Sequence, residues 1–88
     1  MLEREIEAHL VKRVKELGGE IRKVMFIGHR GAPDRLVLLP DNRRFWVELK
    51  APGEKAKPHQ QREHERMRRM GQRVEVIDSI EGVDHVLG

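Results

Sequence analysis

Two acidic residues and a lysine occupy positions in this sequence from which they could act together on a phosphate group. Asp34 follows Pro33, and Glu48 comes after thirteen intervening residues, two before Lys50. Side chains two residues apart on a β-strand point to the same face, so Glu48 and Lys50 would share one side of a strand. Two neighbouring carboxylates repel each other unless a cation lies between them, and such oxygen ligands suit Mg²⁺ or Mn²⁺. The spacing therefore predicts a divalent-metal site.

A β-hairpin would bring the two acids together. Two β-patterns flank the turn-forming residues at 40–43, whose proline, aspartate and asparagine favour a reversal of the chain. With the turn centred near Asp41, the opposed pairs are Leu38 with Arg44, Leu36 with Trp46, and Asp34 with Glu48. Directly opposed Cβ atoms in such a hairpin lie about 4.5–5.5 Å apart. The same alternation predicts that Phe45, Val47 and Leu49 face the core.

A simpler explanation of these residues has to be weighed against the metal site. Asp–Lys and Glu–Lys pairs across hairpins are frequent on protein surfaces, and Asp after Pro is a common turn element. The motif gains weight from its setting, a strand on each side of a turn, and from residues elsewhere in the chain.

Composition limits the classes of protein to which the chain can belong. Its 88 residues are expected to form a single domain over 1–88, small enough for a partner subunit to be plausible. No apolar run approaches the roughly 20 residues that span a bilayer, so no membrane is expected, and the cytoplasm is the default location. The absence of cysteine excludes the common zinc fingers. With no Cys, Tyr or Thr, and with Ser79 at a predicted helix cap, a covalent intermediate lacks a nucleophile, so water must attack.

The charge of the chain points to a polyanionic partner. Its formal net charge is +3, and the remaining surface is more positive still if several acids hold a cation. Basic side chains can neutralise phosphates without reading a base sequence. The candidate DNA contacts are Lys23, Arg30, Arg35, Lys55 and Lys57, although each could also be an ordinary solvated base. Few aromatic residues are present, which disfavours single-strand binding by base stacking.

Hydrophobic periodicity and turn signals predict seven elements. They are a helix over 1–17, a strand over 20–27, the hairpin strands around 36–39 and 45–50, a helix over 58–71, a strand over 74–77 and a short helix from residue 80. This order, helix, three strands, helix, strand and short helix, predicts an α+β or α/β domain with a mixed central β-sheet flanked by helices.

Two helical residues have alternative roles that spacing alone leaves open. Glu7 borders the apolar stripe of the first helix and could be a rim residue or a metal ligand, with Glu3 one turn earlier as its competitor. Gln60 lies in line with the inward side of the second long helix. It could orient Lys50 or a water molecule, or it could merely cap the helix backbone, and Gln61 competes for the same role.

The segment Pro33-Asp34, followed after thirteen residues by Glu48-Leu49-Lys50, resembles the signature of the PD-(D/E)XK nuclease superfamily. It is more similar to the superfamily's stand-alone VRR-NUC branch of phage and bacterial nucleases. Glu7, Lys23, Gln60 and the run that begins at Gly71 extend the resemblance over nearly the whole chain.

The resemblance implies a restriction-endonuclease-like core and a Mg²⁺- or Mn²⁺-dependent deoxyribonuclease. The implied metal ligands are Glu7, Asp34, Glu48 and the carbonyl group of Leu49; the implied catalytic residues are Asp34, Glu48, Lys50 and Gln60. It also implies endonucleolytic cleavage of structured DNA by a homodimer whose paired sites suit a four-way (Holliday) junction. Such a phage-type enzyme would act in the host cytoplasm.

The alternative from another class is a non-catalytic, basic nucleic-acid-binding module that keeps the nuclease fold. Such a module would tolerate Glu48→Ala with little change in DNA affinity and would have no cleavage activity to lose.

Overall fold

The structure is a computed structural model that describes all 88 residues. Its elements in chain order are α1 (Glu3–Glu16), β1 (Glu20–Lys23), β2 (Arg35–Leu38), β3 (Arg44–Leu49), α2 (Pro58–Arg69), β4 (Val74–Ile77) and α3 (Ile80–Leu87). The four strands form one sheet in the order β1-β2-β3-β4. The first three strands are antiparallel, and β4 pairs in parallel with β3 after the crossover through α2. The predicted α+β class and the mixed sheet are confirmed.

The main hydrophobic core lies on the side of the sheet that α1 and α3 cover. Ile6, Leu10 and Val14 recur at helical spacing on α1, while Val83 and Leu87 contribute from α3. They meet the buried set of alternate residues on β3, which is the set that the sequence pattern predicted: Phe45, Val47, Leu49. No helix of the protein is both long and apolar enough to cross a membrane.

Helix α2 lies on the other side of β3, where the buried surface is more polar. Pro58 occupies the first turn of α2, where its missing N–H group costs little. The buried side chains of α2 are Glu63, His64 and Met67, of which only Met67 is apolar. Glu48 and Lys50 point to this side because they alternate with the core residues of β3. The sheet thus separates an apolar face from a face that carries charged groups.

Strand β1 ends earlier than the sequence predicted, at Lys23 and not at Ile27. The ladder between β1 and β2 ends with the pair Lys23–Arg35, followed by one further hydrogen bond from the Val24 N–H group to the carbonyl oxygen of Asp34 (2.8 Å). Because β2 begins only at Arg35, no partner strand remains for the residues after Val24. The side chains of Met25 and Ile27 are 87% and 90% exposed in the loop that follows.

The hairpin has the predicted register. Leu38 pairs with Arg44 and Leu36 with Trp46, and the paired residues end with Arg35 and Val47. Continuing this register by one residue sets Asp34 opposite Glu48, although Asp34 lies just before the first residue of β2. The turn closes through the Leu39 N–H group, which donates to the carbonyl oxygen of Arg43 (2.9 Å), and Asn42 adopts the left-handed conformation (φ 69°) that asparagine tolerates.

Candidate active site

The end of β3 and the start of α2 hold a lysine, a glutamate and a glutamine in contact. Lys50 Nζ lies 4.0 Å from Glu48 Oε2 and donates a hydrogen bond of 2.8 Å to Gln60 Oε1. Both charged side chains are largely shielded from solvent, with exposures of 11% for Lys50 and 14% for Glu48. Three of the residues identified from sequence therefore form one cluster, and the Lys50 ammonium group has a fixed direction within it.

Gln60 fulfils both of the roles that sequence reasoning left as alternatives. Its Oε1 atom accepts the bond from Lys50 and also a bond of 2.8 Å from the backbone N–H group of Lys57, the residue that precedes α2. Gln61 instead donates from Nε2 to the carbonyl oxygen of Ala56 (2.7 Å). The structure thus assigns the contact with Lys50 to Gln60, and it gives Gln61 the task of holding the preceding loop.

The Glu48 carboxylate lies in surroundings that disfavour its charge. Burial raises the pKa of Glu48 most strongly, and the negative charges of Asp34 and Glu3 raise it further, while the Lys50 ammonium opposes them. A cation bound nearby would stabilise the charged form of this carboxylate. Glu3, which the sequence left as the competitor of Glu7, is therefore the acid of α1 that acts electrostatically on Glu48.

His64 is a site residue that the sequence analysis did not identify. Its imidazole is buried, and Nε2 lies 3.6 Å from Glu48 Oε1 without a hydrogen-bond partner. Burial lowers the pKa of His64, as do the positive charges of Arg68 and Lys50, and Glu63 opposes them. The ring is therefore neutral near pH 7. The available signal was its spacing of four residues from Gln60, which places both side chains on one face of α2.

Asp34 and Glu7 meet at a guanidinium group. Arg35 Nη1 donates to Asp34 Oδ1 (2.8 Å), and Arg35 Nη2 forms an ion pair with the Glu7 carboxylate. Glu7 also lines a cavity of about 520 Å³ beside β1, to which neither Glu48 nor Lys50 contributes. No three acidic or histidine side chains converge as a ready metal-ligand set, and Arg35 pairs with both Glu7 and Asp34.

The donor set on the Glu48 side nevertheless suits a hard divalent cation. Mg²⁺ commonly binds to one or two carboxylates and keeps several water molecules, so it needs no cage of three acids. Continuing the hairpin register sets Asp34 opposite Glu48, and the charge of Asp34 is near enough to raise the pKa of Glu48 in addition to the larger effect of burial, so the two acids are the candidate pair. Leu49 lies between Glu48 and Lys50 at the end of β3, where its carbonyl group was the further candidate ligand.

The candidate DNA contacts are divided between the open surface and the acidic cluster. Lys23, Arg30, Lys55 and Lys57 are exposed, on loops or at an element end. Arg35 differs, because its side chain is only 18% exposed and two carboxylates hold its guanidinium group.

The Glu-x-Lys strand, the acid at the start of the paired strand and the glutamine at the start of the next helix together characterise the PD-(D/E)XK class of nuclease folds. A solved structure described as "VRR_NUC domain" superposes with a TM-score of 0.86 at 41% sequence identity, over 97% of this chain and 92% of that one. The sequence is also 51% identical over 74 residues to "Putative nuclease p44" of Acyrthosiphon pisum secondary endosymbiont phage 1, covering 84% of this chain and 80% of that protein. No protein-family model matches the chain. The chain belongs to the VRR-NUC family of nuclease domains.

Proposed function

We propose that this protein is a metal-dependent deoxyribonuclease that hydrolyses phosphodiester bonds with water as the nucleophile. The observation that carries the proposal is the contact of Lys50 with both Glu48 and Gln60 at the end of β3. A module that only bound DNA would have no need to shield an acid and a base in this way. None of the acids of the nuclease motif is missing from the chain.

Mg²⁺ or Mn²⁺ is the proposed cofactor, held by Asp34, Glu48 and the carbonyl group of Leu49. Glu7 joins them if its carboxylate leaves Arg35, and Glu3 is the other acid that α1 offers. Such an ion would stabilise negative charge on the phosphate group and make a water molecule more acidic. The raised pKa of Glu48 supports this assignment, because a cation relieves the cost of its charge.

Lys50 is the proposed group that orients or deprotonates the attacking water and offsets charge that develops on the phosphate. Its ammonium group is directed by the Gln60 oxygen, which in turn is fixed by the backbone at the start of α2. A lysine side chain rotates about four bonds. This hydrogen bond restricts that rotation in advance, so less conformational entropy has to be lost during the reaction.

The proposed substrate is branched DNA, cut endonucleolytically by a homodimer in the cytoplasm of a bacterial or phage-infected cell. It is supported by the family resemblance and by symmetry, since a twofold dimer presents two equivalent sites to a four-way junction. Sedimentation velocity tests the dimer. We expect a species of twice the chain mass at micromolar concentration. A species of single-chain mass at every concentration would contradict the dimer.

A cleavage assay tests the activity itself. The substrates are end-labelled four-way junction, duplex, flap and single-stranded DNA, each with Mg²⁺, Mn²⁺ or EDTA. We expect metal-dependent cutting that falls by about 10²-fold or more in Asp34→Ala and in Lys50→Ala, the loss typical of removing one catalytic group. Asp41→Ala and Lys12→Ala are matched controls, because both residues are exposed and lie outside the site. Folded wild-type protein that binds these DNAs but cuts none with either metal would support the non-catalytic module instead.

A further inference from the structure

A basic cavity of about 440 Å³ lies between the loop after β1 and the first half of α2. It is lined by Gly28, His29, Arg30, His59, Arg62 and Arg66. No acidic and no apolar side chain lines it. Arg30 and Arg62 have no ion-pair partner in the structure, so their charges are available to a ligand. Of this set, Arg30 was a candidate DNA contact, and His29, Arg62 and Arg66 belong to the basic residues that the sequence places in clusters.

A buried carboxylate next to the cavity contacts two of its lining residues. Glu63 is buried, and its Oε1 accepts hydrogen bonds from Arg66 Nη2 (2.6 Å) and Nε (2.9 Å). Its Oε2 lies 3.7 Å from His29 Nδ1. Burying a carboxylate is costly unless it is paired. Glu63 therefore anchors Arg66 and His29, and this distinguishes the cavity from a surface where arginines happen to be near one another.

The cavity is joined directly to the catalytic cluster. Gly31 adopts a left-handed conformation (φ +83°), and a Cβ atom built on it would lie 2.8 Å from the carbonyl oxygen of His59 and 3.0 Å from Gln60 Cα. The loop therefore packs against the backbone of α2 at His59 and at Gln60, the residue that binds Lys50. A ligand in the cavity would lie one residue away from Gln60 along α2.

We propose that this cavity binds a backbone phosphodiester of the DNA strand that is cut, at a position flanking the scissile phosphate. This inference rests on the proposed nuclease function and adds to it a second phosphate site. Arginine presents planar donors that match phosphate oxygens, whereas no Phe, Trp or aliphatic side chain lines the cavity to hold a base. Phosphate contacts fix the register of a strand without reading its sequence. The cavity thus holds the strand in place for cleavage.

The first experiment compares Arg62→Ala with Arg69→Ala. Both arginines are exposed on α2 and have no ion-pair partner, but Arg69 does not line the cavity. Binding of a labelled duplex is measured against salt in the Lys50→Ala background with Mg²⁺, so that substrate survives. We expect Arg62→Ala to reduce the slope of log K against log salt by about 0.9, the value for one lost phosphate contact, and Arg69→Ala to leave it unchanged. Equal slopes for the two variants would overturn the proposal.

A second arm locates the phosphate. Duplexes in which a single phosphate is replaced by an uncharged methylphosphonate are scanned along the cut strand. We expect that replacing one particular phosphate beside the cleavage point weakens binding by about threefold or more when Arg62 is intact. The same replacement should have no effect on binding by Arg62→Ala. Sensitivity that is the same in both proteins at every position would overturn the assignment. So would an Arg62 effect that appears only when the oligonucleotide carries a 5′-phosphate, because the cavity would then bind a terminal phosphomonoester.

The third arm tests whether Glu63 positions Arg66 and His29, by asking whether Glu63→Gln strengthens or weakens DNA binding. Removing a negative charge should strengthen DNA binding if charge alone mattered. If Glu63 positions Arg66 and His29, Glu63→Gln should instead weaken binding by about threefold or more, and Glu65→Gln on the exposed side of α2 should not. Binding is measured without denaturant, in a buffer in which urea unfolding curves show that both variants are fully folded. Stronger binding by Glu63→Gln would overturn the anchoring role.

Failure of the second phosphate site and failure of the nuclease function give different results. If the wild-type protein cleaves DNA with metal but the Arg62→Ala and Arg69→Ala variants bind DNA with the same salt dependence, only the second phosphate site is contradicted. Wild-type protein that neither binds nor cuts any DNA removes both proposals together.

Discussion

Gln60 accepts two hydrogen bonds at one oxygen atom, and the two bonds serve different ends. The bond from the Lys57 N–H group satisfies a backbone donor at the start of α2, which otherwise has no partner within the helix. The bond from Lys50 fixes the direction of the ammonium group. A single residue therefore couples the stability of a helix start to the geometry of the candidate catalytic cluster of Glu48, Lys50 and Gln60.

The first prediction separates these two contributions by comparing neighbouring glutamines. Gln60→Ala should lower the free energy of unfolding by about 1 kcal/mol, the usual value of a helix-start side chain, and should also lower the cleavage rate by about 10²-fold, because Lys50 loses its orienting partner. Gln61→Ala loses a bond of similar length to the Ala56 carbonyl and should cost similar stability without loss of rate. Urea unfolding and single-turnover cleavage check both values. Equal rates for the two variants would argue against the orienting role.

The second prediction concerns the cost of charging Glu48. Because the folded-state pKa of Glu48 is raised, the folded protein binds its proton more tightly than the unfolded chain does, and stability from this group is lost as pH rises through the folded pKa. In EDTA, Glu48→Gln should therefore have a higher urea midpoint than wild type at pH 7.5, with the difference shrinking towards pH 4. Glu54→Gln, in an exposed loop, is the control. A lower midpoint for Glu48→Gln at pH 7.5 would contradict the prediction.

The third prediction has the opposite sign and concerns His64. Its folded-state pKa is lowered, so the unfolded chain binds the proton more tightly and stability falls as pH drops below the ordinary value of 6.5. His64→Gln should lower overall stability through altered packing but should flatten the pH dependence of the urea midpoint below pH 6.5. The exposed His85 provides the matched variant His85→Gln, which should keep the wild-type slope. An unchanged slope in His64→Gln would show that the ring does not resist protonation.

At the scale of elements, the geometry of the candidate site depends on how the loop after β1 meets α2. This loop leaves the sheet because β2 begins only at Arg35, and it returns to the sheet through Pro33, whose side chain is fully buried. Between these points Gly31 touches the first turn of α2. The contact brings the start of α2, and with it Gln60, close to the loop that leads to Asp34.

The fourth prediction tests this contact by exchanging glycines. Gly31→Ala and Gly28→Ala both place a side chain in the left-handed region, which costs about 1–2 kcal/mol. Only at Gly31 does the new Cβ also collide with backbone, 2.8 Å from the His59 carbonyl oxygen; at Gly28 nothing lies within 4 Å. Gly31→Ala should therefore lower the free energy of unfolding by about 1–3 kcal/mol more than Gly28→Ala, as measured by urea unfolding. Equal losses would mean that the loop moves freely away from α2.

Periodicity predicted the elements well where both faces of an element have clear partners. The alternation in β3 and the ends of β4 are those expected, and Ser79 accepts the expected cap bond from the Gly82 N–H group (2.9 Å). The prediction was wrong for the end of β1, because the residues after Lys23 are apolar enough for a strand but have no partner strand to pair with. Strand length depends on the neighbour, which a local pattern does not contain.

At the scale of the whole molecule, the sheet divides an apolar core from a charged face. The core cluster is small, with 11 buried residues, as expected for a chain of 88 residues. On the other face Glu48, His64 and Glu63 are withdrawn from water, and two of them have charges to neutralise. A bound cation would therefore affect the stability of the whole fold as well as its activity.

The fifth prediction follows from this coupling. If Mg²⁺ binds the folded protein and not the unfolded chain, saturating it at 100 times the dissociation constant should add about 2.7 kcal/mol to the free energy of unfolding. For a domain of this size that corresponds to a rise in the thermal midpoint of about 10 °C or more. Asp34→Ala should remove most of the rise, whereas Asp41→Ala, at the exposed hairpin turn, should keep it. No shift in wild type up to 20 mM Mg²⁺ would contradict a metal site of this kind. This readout does not depend on cleavage.

The amino-acid sequence by itself determined which elements form, apart from the end of β1, and the hairpin register, because these follow from local periodicity and turn chemistry. The residues of the catalytic motif stay a prediction from short spacings. Only the tertiary structure decided that His64 faces Glu48, that Arg35 joins Glu7 to Asp34, and that Gln60 both caps α2 and holds Lys50. The basic cavity likewise depends on a loop and a helix about thirty residues apart in the chain. These contacts arise where elements pack together, and the distances between side chains on different elements are fixed by that packing and not by any pattern within one segment.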